Sequence, residues 1–261
     1  ISFALLVYVS GWIKHHYPDA FACALLNSMP MGLYAPAQIV RDAREHGVEV
    51  RHVDVNHSGW DNGLEAAGSG QWALRLGLRQ IGGFREPWAA AIEAGRPFVS
   101  LDDLRTRAAL PARALELLAG ADALGSLDLG RRAGLWGVKG LPRPGAAPLF
   151  AACGLDEGDG APPQSLPLMA PSEEVVGDYE AIRLSLKAHP VAFLRAGIRA
   201  RAGVPCADIG ALRNATRTAV CGVVLVRQRP GSAKGVCFIT LEDETGIANL
   251  VIWPKVFEAF R

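Results

Sequence analysis

Between residues 18 and 46 the apolar positions recur at helical spacing, in two runs that each open on a proline. Pro18 precedes DAFACALLNS and Pro36 precedes AQIVRDAREH, where proline suits the first helical turn because the missing N–H would have no partner there. Gly47 follows His46 as a helix stop. Beyond it VEVRHVDV (48–55) sets β-branched residues in near alternation, which predicts a half-buried strand. Residues 56–70, rich in Gly, Ser and Asn, predict a connection. Leu74, Leu76 and Leu78 then alternate with Arg75, Gly77 and Arg79, as in a short strand with one basic face.

Short helical pieces follow. Ser100 can cap LDDLRTRA, with Asp102 and Asp103 in the first turn, where the helix dipole favours negative charge. Pro111 opens ARALELLA and Gly120 ends it. Residues 141–171 hold seven of the 17 prolines, with glycines between them, the composition of a linker or extended arm. Ser172, Glu173 and Glu174 open another helix, whose Val175, Val176, Tyr179 and Ile182 make one apolar stripe. The remainder alternates as strands: AVCGVVLV (219–226), GVCFITLE (235–242) and IANLVIW (247–253), with DETG (243–246) as a tight turn. Helices followed by strands predict an α+β, multi-domain chain.

A length of 261 residues suits two domains or three small ones, and half the residues are apolar, enough for real cores. The formal net charge is only +1, so any nucleic-acid argument rests on where charges sit. Cys23, Cys153, Cys206, Cys221 and Cys237 are odd in number, scattered and without a CxxC pair, which reads as free, mostly buried thiols in a reducing cytoplasm. FALLVYV (3–9) is too short to cross a bilayer, which takes about 20 residues, and lacks the basic start of a secretory signal; no membrane partner is expected. Opening on Ile1 and an apolar run that needs a partner surface, the chain reads as a fragment that begins mid-domain.

The first segment with chemistry is IGGFREPWAAAI (81–92). A helix-hairpin-helix needs a glycine turn whose backbone N–H groups face a phosphate, then a helix that packs through a small residue. Gly82 and Gly83 supply the turn, Phe84 the hydrophobic plug, and Ala89 and Ile92 the packing side. Arg85 stands where the common hairpin has a second glycine, adding a phosphate-seeking charge at a cost in backbone freedom. A ligand-free glycine turn is the plainer alternative. Residues 71–140 carry ten basic against seven acidic side chains, weak support for the hairpin.

The second is the strand region, where no acidic residue falls between Asp208 and Glu242 while Arg213, Arg217, Arg227, Arg229 and Lys234 are basic. Three of them lie in RQRPGSAKG (227–235), the loop that in an OB-fold grips single-stranded nucleic acid. Phe238 and Trp253 could stack bases, but each lies in an apolar strand and core packing is the stronger expectation. The acidic cluster Glu242, Asp243 and Glu244 reads as a solvated turn. GSAKG lacks Walker spacing, no GxGxxG follows a strand, no GxSxG occurs, and the six histidines fall at no zinc spacing with a cysteine. No carboxylate pair suggests a two-metal centre, so no catalytic residue, metal or cofactor is expected within the chain.

Several segments together, SFALLVYVSGWIKHHYPDAFACALLNSMPMGLYAPAQIVRDAREHGVEV, ALRLGLRQIGGFRE, PFVSLDDLRTRAAL, LSLKAHPVAFLR and RQRPGSAKGVCFITLEDETGIANLVIWPKVFE, resemble C-family bacterial DNA polymerases in this order, closest to the error-prone, translesion branch related to the replicative alpha subunit. The resemblance implies the helical end of the polymerase fingers over 1–65 and a tandem helix-hairpin-helix domain on duplex DNA over 70–140. It further implies a partial OB-fold β-barrel near single-stranded template over 216–261, and the composition places a proline-rich linker over 141–171 and a helical connector over 172–215 between the two. Gly82, Gly83, Phe84, Arg85, Arg227, Arg229 and Lys234 are then the DNA-binding residues. The catalytic aspartates and their Mg2+ belong to an upstream palm domain, and DNA replication, damage-induced translesion synthesis and repair are the implied roles. Partners implied beside DNA are other translesion polymerase components and the sliding clamp. Replicative relatives carry a clamp peptide of the type Gln-x-x-Leu-Phe after the hairpin domain; here Leu149 and Phe150 are kept, Ala146 replaces the glutamine, and QSLPL (164–168) is a second loose match. A non-enzymatic protein with OB and helix-hairpin-helix modules is the alternative reading.

Overall fold

A computed structural model describes residues 2–32, 34–68, 70–141 and 166–260. They form two compact units, Ile1–Leu186 and Lys187–Arg261.

The first unit opens on α1 (Ser2–His16), α2 (Pro18–Asn27) and α3 (Pro36–Glu45), the latter two starting on the predicted prolines. Gly47 takes the left-handed φ of +82° that a helix stop requires. The predicted strand over 48–55 shrinks to β1 (Val50–Arg51). Val53 and Val55 leave the sheet to enter the core, and the Val55 amide donates to the Ala123 carbonyl at 2.9 Å. The predicted connection instead contains β2 (Gly63–Ala66), which pairs antiparallel with β3 (Trp72–Arg75), while β1 pairs parallel on its other side. Glu65 of β2 holds the sheet together by accepting from Arg75 Nε and Arg51 Nη1, both at 2.8 Å. Arg75 and then Arg51 hold its carboxyl down to about 2, against the upward push of burial.

After β3 the chain makes a short 3-10 turn at Leu78–Gln80 and then α4 (Glu86–Gly95), α5 (Leu101–Arg107), α6 (Ala112–Gly120), α7 (Arg131–Gly140) and α8 (Pro171–Ile182). Ser100 caps α5 as predicted, its hydroxyl accepting from the Asp103 amide at 3.1 Å. The predicted opening of α8 moves by one turn position: Ala170 is its cap residue and Pro171 its first. Its apolar stripe is also corrected, because Val176 is exposed and the buried positions are Val175, Asp178 and Ile182. Asp178 can face inward because Arg131 of α7 meets it there as an ion pair, with Glu174 at 2.8 Å as a second acceptor. A single cluster of buried side chains runs from Ala22 to Leu184.

In the second unit, α9 (Arg195–Ala200) precedes β4 (Gly203–Val204). The predicted strand over 219–226 divides into β5 (Ala219–Val220), paired parallel with β4, and β6 (Val223–Gln228). Gly222 stands at the break, where an added Cβ would lie 2.6 Å from the Glu242 carbonyl oxygen. β6, β7 (Cys237–Asp243) and β8 (Gly246–Ile252) form an antiparallel meander with a register shift between Val224 and Val226, a bulge that increases twist. α10 (Pro254–Ala259) follows.

Candidate nucleic-acid interface

The glycine turn of the first unit is presented outward. Gly82, Gly83 and Arg85 are exposed, whereas Phe84, Ala89 and Ile92 are buried in the cluster that carries α4. Gly83 has φ +79°, the conformation that made glycine necessary. The turn's amides divide by use. Gly82 N–H donates to the Ala181 carbonyl at 2.8 Å and Phe84 N–H to Ile81 at 3.1 Å. Among the described residues no acceptor is hydrogen-bonded to the amides of Gly83 and Arg85, which sit at the entrance to α4 where an anion is favoured. Glu86 in the first turn opposes an anion, and the Arg85 charge offsets it.

The surrounding basic side chains are mostly spent within the fold. Arg75 pairs with Glu65, Arg79 with Asp61, Arg105 with Asp102, Arg107 with Asp103, Arg113 with Glu116, Arg131 with Asp178, and Arg132 with Glu173. Arg96 donates to the Val55 carbonyl at 2.7 Å. Arg85 instead lies over the Trp88 ring at 5.1 Å and, among the described residues, forms no ion pair with a carboxylate. The sequence count of basic residues therefore carried little information, and the position of Arg85 carries most of it.

A second turn in the same unit, between α6 and α7, escaped the sequence reading. Its Ser126 amide donates at 2.9 Å to Oδ2 of Asp54, whose Oδ1 accepts from the Asn56 amide at 2.8 Å and lies 3.0 Å from His57 Nδ1. Burial raises the Asp54 carboxyl, but hydrogen bonds from Ser126, His57 and Asn56 lower it overall. An internal carboxylate thus takes up the Ser126 amide of this turn.

In the second unit, the period-2 alternation of β7 buries Cys237, Leu241 and Asp243 and leaves Phe238 outward, 41% exposed. Phe238 is opposite Val251 of β8 and Gln228 of β6, and Thr240 Oγ1 donates to Asn249 Oδ1 at 2.9 Å on the same face. Trp253 is 64% exposed. The expected core packing of these two aromatics is therefore corrected: both are available as ring platforms. Arg227 and Arg229 are exposed and lie over the Phe257 ring of α10 at 5.5 and 4.9 Å, and Arg229 Nε donates to the Gly235 carbonyl at 3.2 Å. Lys234 is exposed at the loop tip, with φ +48°.

The turn after β7 is not the solvated acidic cluster the sequence suggests. Asp243 is 3% exposed and accepts from Thr245 Oγ1 at 2.6 Å, the Cys206 amide at 2.9 Å and Arg195 Nη2 at 2.6 Å. Burial pushes its carboxyl upward, yet the bonds from Thr245, Cys206 and Arg195 hold it well below the usual carboxylate range. Arg195 also pairs with Glu244. This network fixes the β7–β8 turn behind the exposed face. The clamp-like residues 146–150 lie outside the described residues, as do Gln164 and Ser165.

Residues 47–134 match a family described as helix-hairpin-helix motif, and residues 218–261 one described as OB-fold nucleic acid binding domain. A protein named error-prone DNA polymerase from Brucella abortus biovar 1 (strain 9-941) is 55% identical over 262 residues, covering 100% of this chain and 24% of that protein. Proteins of the same name from Rhodopseudomonas palustris (strain BisA53) and Bradyrhizobium diazoefficiens (strain JCM 10833 / BCRC 13528 / IAM 13628 / NBRC 14792 / USDA 110) are 54% and 47% identical, again over 100% of this chain and over 24% and 27% of their own lengths. The chain spans about a quarter of the length of the curated relatives it matches, in their C-terminal part. Among the described residues no helix is long and apolar enough to cross a membrane.

Proposed function

We propose that the chain is the DNA-holding C-terminal part of an error-prone DNA polymerase that acts in replication and in damage-induced translesion synthesis and repair, in the bacterial cytoplasm. In this reading the turn Gly82, Gly83, Phe84 and Arg85 receives a phosphate of duplex DNA. Phe238 and Trp253 stack the bases of single-stranded template while Arg227, Arg229 and Lys234 hold its backbone. Bond making, with its Mg2+, falls to residues outside this chain. Other translesion components and the sliding clamp remain partners proposed from the resemblance alone.

The observation that carries the reading is the outward presentation of Gly83 and Arg85 at the start of α4, with amides no protein group among the described residues engages. Backbone and arginine contacts of this kind hold DNA without reading its sequence. Anisotropy titrations with a blunt duplex, a single strand and a duplex bearing a 5′ template overhang test it. The overhang substrate should bind tightest, and affinity should fall steeply with salt for all three. Equal, salt-insensitive binding would sink the proposal.

A further inference from the structure

A groove of about 410 Å³ opens in the first unit where the end of α1, the start of α2, the end of α3 and the turn between β2 and β3 meet. That volume lies in the range of small-ligand clefts, ~300–1,000 Å³. Two of its lining aromatics, Tyr17 and Trp72, are about half exposed. His16 also lines it and stacks obliquely with Trp12, ring centroids 4.5 Å apart, while Trp12 lies 5.9 Å from Tyr17. Ring surface therefore continues from the groove along the last turns of α1.

The polar lining narrows the ligand. Asp19, His46, Glu49 and Gln71 line the groove, and among the described residues no lysine or arginine does so. Phosphate is not what such a lining selects. Glu49 Oε1 is already paired with Arg51 at 2.8 Å, and Asp19 Oδ1 accepts the Ala20 amide at 2.8 Å, so the one carboxylate charge left without a cation beside it, among the described residues, is that of Asp19. What remains is flat π surface with hydrogen-bonding groups beside it. Rings of this kind stack nucleobases of any sequence, and carboxylate and amide groups meet the amino and ring edges of bases.

We propose that this groove is a stacking site for an unpaired nucleobase, with Tyr17 and Trp72 as the ring surfaces and Asp19, Glu49 and Gln71 along its polar edge. The site is separate in its residues from the hairpin turn and the strand face, and it stands if either of those fails.

The test uses 2-aminopurine, whose fluorescence falls on stacking, with the intact 261-residue chain. The base is supplied as its deoxynucleoside monophosphate and, separately, within a single-stranded pentamer that is otherwise abasic. Quenching with little salt dependence is expected, since no phosphate contact releases counterions. Trp72→Ala and Tyr17→Ala should each weaken it roughly 5- to 150-fold. Trp72→Phe should recover most of the loss, and Trp136→Ala on α7 should change nothing. Equal quenching of both probes supports a free-nucleotide site; quenching of the pentamer alone supports a base within a strand. The proposal is overturned by no quenching of either probe, or by quenching that survives both alanine variants. Binding of an arginine-bearing peptide that nucleotide fails to displace also overturns it.

Discussion

The amide of Gly82 donates to the carbonyl of Ala181 at 2.8 Å, tying the glycine turn before α4 to the last turn of α8. One of the two glycines is thus an anchor, and its neighbour Gly83 does the bending at φ +79°. The two positions should respond differently to a methyl group. A Cβ on Gly82 would meet the Ala181 oxygen at 3.4 Å, a tolerable contact, whereas a Cβ on Gly83 meets open space but an unfavourable backbone. Gly83→Ala should cost about 1–2 kcal/mol in urea unfolding and weaken duplex binding by distorting the turn. Gly82→Ala should do less on both counts. The opposite order in the same two assays would show that the turn is not set by Gly83.

Arg85 and Arg79 lie close in sequence and differ in what they touch. Arg79 is committed to Asp61 and to the carbonyl of Asn27, and Arg85, among the described residues, only to the face of Trp88. Arg85→Glu should weaken binding to all duplexes alike and reduce the slope of log affinity against log salt by about one. Arg79→Gln should leave that slope alone and lower thermal stability instead. If Arg85→Glu leaves affinity and slope unchanged in anisotropy, the hairpin does not hold phosphate.

On the strand face, Phe238→Ala should lower single-strand affinity by about 1–3 kcal/mol with little change in stability, because the ring is exposed. Phe238→Trp should retain binding. Reversal of charge at Arg227 and Arg229 should lower affinity through a smaller salt slope. An unchanged affinity in both sets would remove the strand face from the interface.

The legible parts of this fold were those where backbone chemistry forces a residue type. Pro18, Pro36, Gly47, Ser100 and Gly83 each marked a turn or a cap that the structure contains. The strand Gly63–Ala66 stayed hidden because GLEA carries no β-branched residue, and Glu65 bridging to Arg51 and Arg75 is a long-range event. Phe238 was misread because an apolar strand was treated as two-sided core, when alternation of period 2 sends it outward. Asp243 was misread because its arginine partner lies 48 residues earlier. Counting charge failed over 71–140 since most of those arginines are committed to carboxylates within the unit.

Arg131 and Asp178 pair α7 with α8, both buried, so removing Arg131 takes from the buried Asp178 carboxylate its ion-pair partner. Gly177 makes the approach possible, since a Cβ there would lie 2.6 Å from Arg131 Nη1. Arg131→Met should destabilise the first unit by about 3–5 kcal/mol in denaturant unfolding. Arg131→Met with Asp178→Leu should recover part of that loss. A single substitution that leaves the midpoint in place would mean the pair is solvated in solution.

Acid should loosen the second unit through Asp243. Its carboxyl is depressed in the folded state by Thr245, Cys206 and Arg195 despite burial, so the folded form binds its proton less readily than the unfolded chain does. The stability this contributes is present above the ordinary aspartate range and is lost as pH falls through that range toward the depressed folded value. Asp243→Asn keeps the shape, removes the titration, and leaves Arg195 without one of its two carboxylates. The variant should be less stable than the parent at neutral pH, with the gap narrowing as pH falls below about 4. Cys206 supplies a local reporter: burial first and then Asp243 push its thiol up to about 11, so in the folded unit it should resist alkylation. Loss of the network at low pH, followed by a return to neutral pH with reagent present, should leave Cys206 unlabelled if refolding is complete, whereas in the variant it should label faster at neutral pH. A gap between variant and parent that does not change with pH would show that Asp243 is not the titrating group.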